Sequence, residues 1–201
     1  MSYHSSMLQK KGVRVLGVAE SFRKPVGEKA VLAGVVMRGD FVVDGVVFGE
    51  CLVGGLDATD GIIEMYRSLR REDVMALMLN GCIISWFNVI DLHRLHSETR
   101  LPVISVTYEP SAGIREYFIK YFPEDWEQRV EIYERNGPRV EITNKNNLKL
   151  YVRAVGIGLD EAAKLLNRFT LFGRIPEPLR VAKLIARSLL TYRAKRRLLG
   201  S

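Results

Sequence analysis

The chain has 201 residues, 47% hydrophobic and 26% charged, which is enough apolar material to fill a core and excludes a disordered composition. No apolar run approaches the roughly 18–20 residues that a bilayer span needs. The opening "MSYHSSMLQKKGVRV" has no apolar export core, and Cys51 and Cys82 sit far apart in apolar contexts, so buried thiols in a reducing cytoplasm are expected rather than a disulfide or a structural zinc pattern.

"VRVLGVAES" (13–21) is rich in β-branched residues and predicts a first strand. "EKAVLAGVVMRGD" (28–40) holds a second, with the turn assigned to a positive φ at Gly39. "FVVDGVVFGECLV" (41–53) gives a third, with Asp44-Gly45 as a bulge or secondary turn, so strands two and three read as a hairpin. "GGLDATDGIIEMYRSLRRED" starts a helix that Asp57 or Thr59 is placed to cap, since a short oxygen side chain accepts from the first free amides. "VMALMLN" (74–80) is a continuous apolar run, as in a strand covered on both faces. "FNVIDLHRLHSET" predicts a helix capped by Asn88, and "LPVISVTY" the next strand.

"SAGIREYFIKYF" and "EDWEQRVEIYERNG" predict two short helices, split at Pro123 and ended by Asn136-Gly137. "RVEITNKNNLKLYVRAV" reads as two strands joined at Asn144–Asn147. "GLDEAAKLLNRFT" is a helix with an acidic first turn, and "IPEPLRVAKLIARSLLTYRAKRR" is a last helix opened by Pro176 or Pro178. The order describes one α/β domain over 1–201. Three opening strands form an antiparallel group, and parallel strands follow through right-handed helical crossovers. A C-terminal extension from about 139 adds a strand pair and helices.

In that arrangement the first strand is central and the strand ending at Asn80 is its parallel neighbour. Both tips then point to the end of the sheet where open α/β sheets collect ligands. Glu20 closes the first strand, Asp57 precedes the first helix and Asn80 closes the parallel strand, so these three are the candidate catalytic set. Glu20 and Asp57 are the candidate ligands for magnesium or manganese, which prefer oxygen donors and can activate water against a phosphodiester.

The segments "VRVLGVAESF", "LAGVVMRG", "GGLDAT", "MLNGCIISWFNVIDL", "LPVISV" and "IPEPLRVAKLIA" resemble, in order, the family known as domain of unknown function number 99. That family is found mainly in archaea and is grouped with endonuclease V in the ribonuclease H-like superfamily. The resemblance implies a ribonuclease H-like mixed sheet and a relative of nucleases that use magnesium and carboxylates. It places the family's acidic slots at Ala19–Glu20, near Asp57 and at Asn80. The family commonly has two adjacent aspartates in the first slot and an aspartate in the third. Here Ala19 brings no ligand, and Asn80 brings an amide oxygen without charge, which lessens the attraction that offsets dehydration of magnesium. A weakened or inactive nuclease relative that binds DNA or RNA is therefore expected. An active magnesium- or manganese-dependent phosphodiesterase is the first alternative, with Asp44, Glu50 or Asp60 as substitute acids, and a non-enzymatic assembly protein is the second.

Residues 174–201 carry eight Arg or Lys against one acid, while the first 173 balance at 22 against 22, so the whole net +7 lies in the tail. Arg180, Lys183, Arg187, Arg193, Lys195, Arg196 and Arg197 are the candidate nucleic-acid contacts, with Leu184, Ile185 and Leu189 assigned to the opposite, apolar face. His93 and His96 have zinc spacing but no further ligand, and read as solvent-facing. Trp86 and Phe87 read as core, with base stacking as the alternative.

Overall fold

The computed structural model describes residues 12–110 and 113–199, with side chains as far as 196. The opening strands are β1 (Arg14–Ser21), β2 (Lys29–Arg38) and β3 (Val43–Leu52), followed by helix α1 (Ala58–Leu69) and strand β4 (Val74–Leu79). Then come the two-residue strands β5 (Ile83–Ile84) and β6 (Asn88–Val89), α2 (Leu92–Thr99), β7 (Val103–Thr107), α3 (Arg115–Tyr121) and α4 (Trp126–Arg135). The chain continues through β8 (Val140–Thr143), β9 (Lys149–Val155), α5 (Leu159–Arg168) and α6 (Glu177–Leu199).

Seven strands form one mixed sheet in the order β3-β2-β1-β4-β7-β9-β8, and β5 and β6 make a separate small hairpin. The first three strands pair antiparallel, β1–β4 and β4–β7 pair parallel, and β9 returns antiparallel to β7. The segment from about 139 onward thus supplies the two outer strands β9 and β8. It also supplies α6, which lies over β1 and β2.

Strand alternation divides the core in two. Leu16 and Val18 of β1 pack with Leu77 and Leu79 of β4 against Ile62 and Met65 of α1. Val15 and Ala19 pack with Ala76 and Met78 against Leu165 of α5 and Leu179 and Ala182 of α6. Gly17 marks the seat of α6. A Cβ there would stand 2.6 Å from the backbone carbon and Cβ of Pro178, so only glycine lets the helix approach this closely.

Four local expectations are corrected. In the β2–β3 turn Phe41, at φ 67°, takes the positive dihedral instead of Gly39. Its ring meets Phe169 edge-on at 6.5 Å, an apolar contact that compensates the strained backbone. At Gly39 the Arg168 guanidinium takes the space where a Cβ would stand, at 2.6 Å. Asp44 is the extra residue between the pairs Val36–Gly45 and Met37–Val43, which is the bulge that the sequence suggested.

The second correction concerns residues 86–91, which are not helical. Asn88 opens strand β6, and Asp91 caps α2 by accepting from the amides of His93 and Arg94. The third concerns Asp57 and Thr59. Neither caps α1, because their side chains are engaged elsewhere. The fourth is on α6: Leu184 is 53% exposed, whereas Ile185 and Leu189 pack beside the buried Leu179, Ala182 and Ala186.

Candidate functional site

The site is built where β1, β3 and β4 end. The last register pair of β1 and β4 is Val18–Leu79, and the Asn80 amide still donates to the Val18 carbonyl at 3.1 Å. One step further, Ala19 and Asn80 stand side by side. Alternation carries Ala19 on to the face of Val15, Ala76 and Met78, where it is packed under α6. Glu20, paired with Leu32, continues the other face, that of Leu16 and Val18.

Glu20 and Asp57 are brought together on that second face around Cys51. Burial pushes the Cys51 thiol up to about 12, with the nearby Asp57 and Glu20 carboxylates adding to the rise and the Ser85 hydroxyl opposing it. At that value the thiol is not a nucleophile at neutral pH. Both cysteines are free and buried, as the sequence indicated.

Both acids already have partners within the protein. Glu20, 8% exposed, meets the ammonium of Lys183 on α6, which donates to its carbonyl at 2.7 Å and to Oε1 at 3.3 Å. Asp57 accepts the Leu52 amide on both carboxylate oxygens (3.0 and 3.1 Å) and the Asn88 side-chain amide on Oδ1 (2.8 Å). Asn80 has no side-chain hydrogen bond among the described residues and brings no charge.

The proposed substitute acids are also spent. Asp44 pairs with Arg14 and Arg71, Glu50 with Lys29 and Arg193, and Asp60 with Arg94. No group of three or more His, Cys, Asp or Glu among the described residues is placed to hold a metal ion. A magnesium centre for phosphodiester hydrolysis needs several free carboxylates around the ion, and these residues do not fit one. Glu20 and Asp57 thus both neighbour Cys51, while Asn80 follows the last residue of β4.

Two residues hold this region: Asn88, which the sequence suggested as a cap for its own segment, and Arg129, which it did not single out. Asn88, fully buried, donates to the Leu52 carbonyl at 2.9 Å and to Asp57, and accepts the Ala58 amide at 3.1 Å. It thereby caps α1 from outside the helix, the role assigned to Asp57. Arg129 of α4 is 2% exposed and reaches the Gly54, Gly55 and Phe87 carbonyls at 2.8–3.0 Å while holding Asp125 by two hydrogen bonds. It locks the β3–α1 and β5–β6 loops together. Its only sequence signal is the i, i+4 spacing of Asp125 and Arg129.

The basic helix is less free than its composition implies. Arg180 pairs with Glu177, Lys183 with Glu20 and Arg193 with Glu50. Arg187, Lys195 and Arg196 remain without an ion-pair partner among the described residues, and the Arg197 side chain lies outside them. No helix is long and apolar enough to cross a membrane among the described residues. His96 is not solvent-facing: its Nδ1 bonds the Leu101 carbonyl at 2.7 Å, and its ring fills the space beside Gly156.

The family model described as endonuclease dU matches residues 11–190. A UPF0215 protein of Pyrobaculum aerophilum is 38% identical over 171 residues, covering 85% of this chain and 91% of its own. Among solved structures, a protein of unknown function from Archaeoglobus fulgidus superposes with a TM-score of 0.75 at 30% identity, over 88% of this chain and 98% of the other. Endonuclease V from Ciona intestinalis, solved with a 24mer DNA containing an inosine followed by a ribo-adenosine, superposes with a TM-score of 0.59 at 17% identity. That match covers 90% of this chain and 87% of the other and shows a shared fold.

Proposed function

The chain belongs to the endonuclease dU family, and from that premise we propose that it is a nucleic-acid-binding member whose hydrolytic centre is silent. The observation that carries this reading is the charge state of the strand tips. Ala19 and Asn80 supply no carboxylate, Asp57 is held by Leu52 and Asn88, and the Lys183 ammonium stands against Glu20. A cation already sits beside the acid that a metal would need, so a divalent ion entering there meets repulsion in place of attraction. Arg187, Lys195 and Arg196 of α6, together with Arg197, give phosphate contacts of the sequence-independent kind.

The test is incubation with magnesium or manganese and strands containing inosine or deoxyuridine, as DNA and as RNA. No cleavage is expected, together with salt-dependent binding to the same strands. Cleavage that disappears in Asp57→Ala would instead establish a working metal-dependent phosphodiesterase.

A further inference from the structure

The loop between β5 and β6 contains three consecutive non-glycine residues at positive φ: Ser85 (44°), Trp86 (61°) and Phe87 (65°). Such backbone is strained, and it persists only where the surroundings hold it. Here the Gly54 amide bonds the Ser85 carbonyl at 2.8 Å, and Arg129 bonds that of Phe87 at 2.8 Å. The strained turn carries the rings of Trp86 and Phe87 out to α3. Phe87 lies nearly parallel to Tyr117 (6.0 Å, 21°) and Tyr121 (5.7 Å, 20°), while Trp86 packs on Tyr121 at 5.1 Å.

Core packing explains Phe118, which is fully buried below this group, but not the tyrosines. Tyr117 and Tyr121 stand one turn apart on α3 and are 50% and 41% exposed. Lys24, in the loop that follows Glu20, places its ammonium 3.3 Å above the Trp86 ring, and that of Lys120 is 5.2 Å from the Tyr121 ring. An aromatic row edged by ammonium groups offers π-faces to a base and cations to the phosphates on either side. A purely apolar partner would leave both lysines uncompensated. The row also adjoins the strand tips, because the Ser85 hydroxyl lies 3.5 Å from Cys51, the thiol between Glu20 and Asp57.

We propose that Trp86, Phe87, Tyr117 and Tyr121 form a stacking platform for unpaired bases of single-stranded nucleic acid, with Lys24 and Lys120 against the flanking phosphates. This rests on the nucleic-acid reading above and adds the location of the strand and its unpaired state. Stacking on an aromatic side chain is lost on truncation to alanine, which weakens binding roughly five- to a hundredfold per base.

The experiment measures fluorescence anisotropy of a short thymine oligonucleotide and of an abasic strand of equal length, at two salt concentrations. The intact chain, Tyr121→Ala, Tyr117→Ala with Tyr121→Ala, and Tyr121→Phe are compared, with circular dichroism verifying the fold of each. The alanine variants should lose affinity by the factor above, Tyr121→Phe should retain it, and the abasic strand should bind weakly to the intact chain. Equal affinity for both strands, unchanged in the double variant while salt dependence persists, overturns the platform and leaves nucleic-acid binding standing. Absence of binding to either strand at low salt overturns both.

Discussion

Replacing Arg129 by methionine removes five hydrogen bonds at a position 2% exposed. Methionine fills similar volume, so little of the loss comes from a cavity. The Gly54, Gly55 and Phe87 carbonyls are left without this donor, and the Asp125 carboxylate, 33% exposed, without its cation. Removing one partner of a buried pair costs about 3–5 kcal/mol. Three abandoned carbonyls at about 1–3 kcal/mol each give a sum of the same order once water reaches some of them. A loss of about 3–5 kcal/mol is therefore expected in urea unfolding, with an unchanged denaturant slope. Near-ultraviolet circular dichroism should change as well, because Trp86 and Phe87 depend on the carbonyl that Arg129 holds. Arg129→Lys should recover little, since one ammonium cannot span both loops and Asp125. A loss below about 1 kcal/mol with an unaltered aromatic spectrum would refute the role given to Arg129.

Two further outcomes concern the fold around the site. Gly17→Ala places a Cβ 2.6 Å from Pro178 and must displace α6. Overpacking of that kind costs about 1–3 kcal/mol, read as a lowered Tm, and an unchanged Tm would mean that the helix seat is soft. Lys29 and Arg193 hold the Glu50 carboxyl below its ordinary value of 4.5. The stability from this pair is present above that value and is lost as pH falls through the lowered one. Glu50 is 33% exposed, so solvent screening limits the contribution to less than about 1 kcal/mol. Glu50→Gln should flatten the stability–pH curve in that acid range and leave neutral stability almost unchanged. An unaltered acid limb would show that the pair contributes nothing.

The order of sheet strands was legible because each run announces its environment. The uninterrupted apolar "VMALML" can only be covered on both faces, and "VRVLGVA" must then lie beside it. The hairpin of β2 and β3 was equally clear, and of the two readings of Asp44-Gly45, bulge or turn, the register selects the bulge. What failed was local chemistry decided by distant partners. Asn88 resembles a helix cap for its own segment, yet it caps α1, 30 residues upstream. Lys183 reads as one more cation of a basic face, but its partner Glu20 lies 163 residues away. Gly39 is a reasonable turn residue, yet Phe41 takes the positive φ because its ring packs on Phe169 of a distant helix end. The face of Ala19 follows from register, which the sequence does not state. That positions 19 and 80 carry no carboxylate is written in the sequence, and the partners of Glu20 and Asp57 are not.

The most direct measurement is a manganese titration of the intact chain followed by electron paramagnetic resonance, where bound ion loses its free-ion signal. No stoichiometric binding to the native protein is expected at micromolar manganese. Asn80→Asp combined with Lys183→Ala should create a measurable site by adding a charge and releasing Glu20. One or two tightly held ions in the native chain, lost in Asp57→Ala, would contradict that expectation.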